Sequence, residues 1–144
     1  MGIAGKDGRT GSLTHGAITE KVIAAFFAVY NELGAGFLES VYVNSLVLAL
    51  ADLGLEVEAE LPLVVHFRGH VVGVFRADLV VNGSMIVEVK AVERIIKAHE
   101  VQLVNYLRAT GTRVGLLLNF GPRAEFKRRV CTTSKNQPLS ASSA

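Results

Sequence analysis

The chain has 144 residues, enough for one domain and too few for two. Half of them are apolar and 19% are charged, which excludes wholesale disorder, and a lone cysteine, Cys131, excludes an internal disulfide framework or a Cys-rich zinc site. Net charge is only +2 but unevenly placed: residues 1–60 carry three bases against eight acids, a net −5, and residues 61–144 carry twelve bases against five acids, a net +7. A basic second half suits a polyanionic partner, or is neutralised by the acidic first half across the fold.

The longest apolar run, Val22 to Tyr30, is far short of the roughly 20 residues a membrane span needs. The opening residues have no apolar signal core, so the expectation is a soluble, cytoplasmic protein of a reducing compartment without membrane association. Residues 1–12, with four glycines and no apolar periodicity, read as a flexible arm. Residues 131–144, ending Ser-Ala-Ser-Ser-Ala, read as a disordered tail. The domain proper is expected over 13–130.

Within it, Ile18, Val22, Ile23, Phe26, Val29, Tyr30 and Leu33 recur at helical spacing and predict a first helix over about 16–33, stopped by Gly34. A second helix follows Gly36 and runs to about Asp52, with Leu38, Val41, Tyr42, Leu46, Ala49, Leu50 and Leu53 inward. From Leu55 the period becomes two, with Glu56, Glu58 and Glu60 alternating against apolar residues in a half-exposed strand. Residues 61–68 and 70–81 predict a hairpin turning at Arg68-Gly69, and Asn82-Gly83 leads into a strand over 85–90. A third helix over about 97–110 is closed by Gly111. A strongly apolar strand over 113–119 and a basic strand over 125–130 complete the order. The fold class expected is α/β or α+β, a mixed sheet with helices packed on it.

On the strand over 85–90, Glu88 and Lys90 share one face while Val87 and Val89 take the other. A carboxylate and an ammonium on so apolar a strand must be paired, solvated in a cleft or bound to something. Asp78 lies in the preceding strand in an equally apolar setting. A two-residue Asn82-Gly83 loop places Asp78 and Glu88 on opposite faces; a three-residue loop pairs Val81 with Met85 and sets Asp78 directly opposite Glu88. Facing carboxylates repel, so the longer loop, which is the expectation, makes sense with a cation between them. Oxygen-only ligands select a hard ion, Mg²⁺ or Mn²⁺. Glu39 and Tyr42 share a face of the second helix. Glu39 is then either a first-turn acid favoured by the helix dipole or a third carboxylate at the metal. His99, Gln102 and Tyr106 form a polar stripe along the third helix, either a hydrogen-bonding surface pair or part of a site.

Taken in order, Gly36-x-x-Glu39-x-x-Tyr42, Phe75-Arg76-Ala77-Asp78, Glu88-Val89-Lys90, Gln102-x-x-x-Tyr106 and Gly115-Leu116-Leu117-Leu118-Asn119-Phe120 resemble the GxxExxY family of the PD-(D/E)xK nuclease-like superfamily over about residues 13–130. The Asp motif here has no proline before it. The resemblance implies a restriction-endonuclease-like core and a metal-dependent nuclease acting on DNA or RNA. It implies Asp78, Glu88 and the Val89 carbonyl as metal ligands, with Glu39 as an additional one. Lys90 is implied as the catalytic lysine, and Gln102 and Tyr106 as the QxxxY element of RecB-type nucleases. Tyr42, Arg76, Arg94 and Lys97 are the candidate nucleic-acid contacts, with Arg123, Lys127, Arg128 and Arg129 further off. The alternative class is a non-catalytic nucleic-acid- or protein-binding module that retains the fold. An exposed sheet edge and the apolar content are compatible with a homodimer.

Overall fold

The computed structural model describes residues 13–132; the expected flexible arm and all but the first two residues of the expected tail lie outside them. Helix α1 spans His15–Leu33 and begins where the Thr14 hydroxyl accepts the Ala17 N–H at 3.0 Å. Helix α2 spans Glu39–Asp52. Strands β1 (Val57–Phe67), β2 (His70–Val81) and β3 (Met85–Lys90) follow, then helix α3 (Lys97–Thr110) and strands β4 (Val114–Phe120) and β5 (Ala124–Val130). The five strands form one sheet in chain order, antiparallel throughout except for β3–β4, which run parallel across the α3 connection.

Period-two alternation on β3 and β4 divides the core between the two faces of the sheet. Met85, Val87, Val89, Leu116, Leu118 and Phe120 pack against α1 and α2, while Ile86 and Leu117 pack against Leu103 and Leu107 of α3. Helix α3 approaches so closely because Gly115 has no side chain: a Cβ there would stand 2.8 Å from Leu103 Cδ1. The helices therefore flank the sheet, and its strands β3 and β4 are buried on both faces.

The predicted strand before the hairpin and the first hairpin strand are one element, β1. The joint is Glu60, a non-glycine residue at φ 57°, in the left-handed region. The β1–β2 register passes from Ala59–Leu79 to Leu61–Ala77, stepping over Glu60 and Asp78. Across that break the strand reverses its facing. Leu79 belongs to the α1/α2 core, whereas Ala77, Phe75, Leu61 and Leu63 lie with α3. Because β2 pairs with β3 only over 79–81, the part of the hairpin between Leu61 and Ala77 has no third strand beside it.

Candidate active site

Two strand features bring the acids together. Val81 pairs with Met85, the register of the longer loop, and the regular ladder ends at Leu79–Val87. The next position along is Asp78 opposite Glu88, where side chains replace the ladder. The Val89 N–H donates to Asp78 Oδ2 at 2.7 Å and the Asp78 N–H donates to Glu88 Oε2 at 3.3 Å. Each carboxylate is thus held by a backbone amide of the opposite strand, on the face covered by α3.

The electrostatics follow from that placement. Burial pushes Glu88 up from 4.5 to about 8, with the Asp78 charge adding to the effect against partial opposition from the Asp78 N–H and Lys90. Asp78 is also raised, first by burial, against the Val89 N–H; Glu39 adds to the rise, Lys90 opposes it and Glu60 contributes further repulsion. Near neutrality the pair therefore retains a proton and behaves as a coupled dyad. Lys90 is half-buried, and among the described residues it forms no direct ion pair. Tyr106 of α3 stacks on Phe75, ring centroids 3.6 Å apart and 9° from parallel, and its phenol is raised by burial and then by Glu88 and Asp78. The structure thus gathers Asp78, Glu88, Lys90 and Tyr106. Gln102, one turn earlier on α3, is exposed.

Glu39 occupies the exposed first turn of α2, and its Oε2 accepts the Ala91 N–H at 3.3 Å, just past the end of β3. It is electrostatically felt by Asp78 without joining it in a compact triad. Among the described residues no three or more His, Cys, Asp or Glu side chains are grouped to hold a metal ion.

One expected nucleic-acid contact is corrected. Tyr42 is fully buried, stacked on Phe120 at 4.1 Å; its hydroxyl donates to the Gly34 carbonyl at 2.6 Å and accepts the Phe37 N–H at 3.1 Å. It pins the α1–α2 connection and has no surface for a ligand. Lys97 lines a surface cavity of about 350 Å³ with Arg108 and Arg129, on the β5 side of α3, whereas Tyr106 faces β2. Arg76 is exposed and donates to the Glu60 carbonyl at 3.0 Å, and Arg94 is exposed in the β3–α3 connection. His99 serves locally, its Nδ1 accepting the Ile96 N–H at 3.1 Å at the start of α3.

Asn119 is a structural part of the site that sequence reasoning gave no role. It is fully buried, opposite Lys90 in the β3–β4 register. Its amide grips one residue from both sides, Oδ1 accepting the Val92 N–H at 2.9 Å and Nδ2 donating to the Val92 carbonyl at 3.0 Å. This fixes the chain as it leaves Lys90. The available signal was a lone amide inside an otherwise apolar strand, since a buried polar side chain is retained only when satisfied. Glu60 was also missed, because alternation gives no sign of a left-handed residue.

No curated protein matches the chain. A solved structure titled "Crystal structure of SSO0001" is similar at 18% identity with a TM-score of 0.49, over 90% of this chain and 60% of that one, so the chain spans about three fifths of its length. Among the described residues no helix is long and apolar enough to cross a membrane. The model of the PD-(D/E)XK nuclease superfamily matches residues 16–130. That match covers most of the chain, and the chain belongs to the PD-(D/E)XK nuclease superfamily.

Proposed function

We propose that the chain hydrolyses phosphodiester bonds of a nucleic acid in a reaction that depends on Mg²⁺ or Mn²⁺. The observation carrying this reading is the mutual approach of Asp78 and Glu88 at a ladder break, Glu88 buried and Asp78 half-buried, with Lys90 on the same face. Such a pair is unfavourable unless protonated or neutralised by a cation. Two carboxylates suit Mg²⁺, which commonly binds through one or two carboxylates and fills its octahedron with waters and substrate phosphates.

Asp78 and Glu88 are the residues that would hold the ion, with the Val89 carbonyl as a backbone ligand and Glu39 as an outer acid reached from α2. When bound, the ion supplies a lowered pKa for the attacking water and neutralises charge developing on the phosphoryl oxygen. Lys90 orients the water and stabilises the extra negative charge of the transition state. Tyr106, stacked on Phe75, and Gln102, one turn before it, border the site from α3 and present hydrogen-bonding groups to the phosphate backbone. Arg76 and Arg94 are the nearer cations for flanking phosphates, which set position without reading sequence. The motif Gly36-x-x-Glu39-x-x-Tyr42 supports the finer assignment to the GxxExxY group, although Tyr42 acts there as a buried brace.

The test is cleavage of labelled DNA and RNA with Mg²⁺ or Mn²⁺ by the parent, Asp78→Ala and Lys90→Ala. Loss of Lys90 is expected to lower the rate on the order of 10²–10³ with unfolding midpoint retained. Cleavage by either variant equal to the parent's removes the reading.

A further inference from the structure

The hairpin between Leu61 and Ala77 leaves the sheet at the residue before Asp78, and its composition is unlike that of the rest of the chain. It carries Arg68, Arg76, His66 and His70 and not one acid. One face, with Leu63, Phe75 and Ala77, is closed by α3. The pairing Leu63–Phe75 next to Val64–Val74 puts Val64 and Val74 on the opposite face, where Val74 is 61% exposed, as is Val72. The tip is a two-residue turn at Arg68-Gly69, both with positive φ, with the Arg68 guanidinium 4.8 Å above the exposed Phe67 ring.

The outer edge of β1 is closed to strand addition. Pro62 removes a donor, Glu60 breaks the extended conformation and the register slips between Val65 and His66. A partner must therefore approach the ribbon's free face and tip. That surface is apolar in the middle and cationic at both ends, with Arg68 in the turn and Arg76 six residues, about 20 Å of strand, beyond His70. A protein partner would have to supply acids at both ends of an apolar strip. A nucleic-acid groove already has that form, with phosphates along its walls and base edges, including thymine methyls, on its floor.

We propose that this ribbon enters the major groove of B-form DNA, so that double-stranded DNA is the nucleic acid the chain engages. The B-form major groove, about 12 Å wide, admits a two-stranded ribbon, whereas the deep, narrow major groove of an RNA duplex does not. About 20 Å corresponds to six base steps at roughly 3.4 Å each, a little over half a helical turn. The inference rests on the nucleic-acid reading above but not on catalysis.

Fluorescence anisotropy in EDTA with one sequence as a labelled DNA duplex, RNA duplex and DNA single strand tests it. The parent is expected to bind the DNA duplex at least tenfold more tightly than either other form. Arg68→Glu with Val74→Glu, both on exposed ribbon positions, is expected to remove that preference and flatten the dependence of affinity on salt, with the unfolding midpoint kept. Equal affinity of the parent for all three forms, or an unchanged double variant, overturns the proposal. So does sedimentation in which the parent is a dimer and the variant a monomer, which assigns the ribbon to a second copy. DNA-duplex binding through the ribbon in a parent that cleaves nothing with either ion supports the inference and removes the nuclease reading alone.

Discussion

Replacing Glu88 by Gln isolates the electrostatic cost of the buried acid pair. The amide keeps an oxygen to accept the Asp78 N–H and has no charge to bury. In the unfolded chain Glu88 titrates near 4.5 and in the fold near 8, so between those values the folded protein keeps a proton that the unfolded one has released. Stability must then fall as pH rises through this window and level off above it, the sign opposite to that of a salt-bridged carboxylate. The displacement corresponds to about 5 kcal/mol at its limit, part of it already lost at pH 5, and since Asp78 shares the repulsion, the parent should lose about 2–4 kcal/mol relative to Glu88→Gln between pH 5 and pH 9. Urea unfolding followed by circular dichroism at pH 5, 6, 7, 8 and 9 in EDTA reads this directly. Parallel stability curves for parent and variant would refute the argument. In the same titration 5 mM Mn²⁺ should restore the parent at pH 8 but not at pH 5, because binding must displace the shared proton, and should leave Glu88→Gln nearly unmoved.

Asn119→Ala removes both hydrogen bonds to Val92 from a fully buried position, and is expected to cost about 2–4 kcal/mol in urea unfolding. Because the clamp follows Lys90 directly, cleavage should fall further than the stability loss explains; unchanged turnover in the folded fraction would make Asn119 purely structural. Gly121→Ala would drive a Cβ to within 2.0 Å of the same Val92 carbonyl, so a thermal scan should show a midpoint at least 10 °C lower, and an unshifted midpoint would contradict the packing described. Glu60→Gly relieves a left-handed conformation and is expected to raise stability by about 1 kcal/mol, provided the lost carboxylate holds nothing else; a destabilised variant would show that the Glu60 side chain anchors the break.

The secondary elements were legible because each is amphipathic at its own period. The stripe Ile18, Val22, Phe26, Val29 makes α1, and the continuous apolar runs of β3 and β4 announce strands buried on both faces. The shared face of Glu88 and Lys90 follows from strand geometry alone. Helical spacing placed Tyr42 inward, as found; its further reading as a nucleic-acid contact fails because its ring stacks on Phe120.

Local pattern determined the elements, their order and the inventory of acids and amine, since period, propensity and turn chemistry act between near neighbours. Three-dimensional packing decided the rest: the ladder break that lets Asp78 and Glu88 exchange backbone partners, the reversal of facing at Glu60, and the grip of Asn119 on Val92. Each joins positions ten or more residues apart or depends on which face another element covers, and no nearest-neighbour rule contains that information.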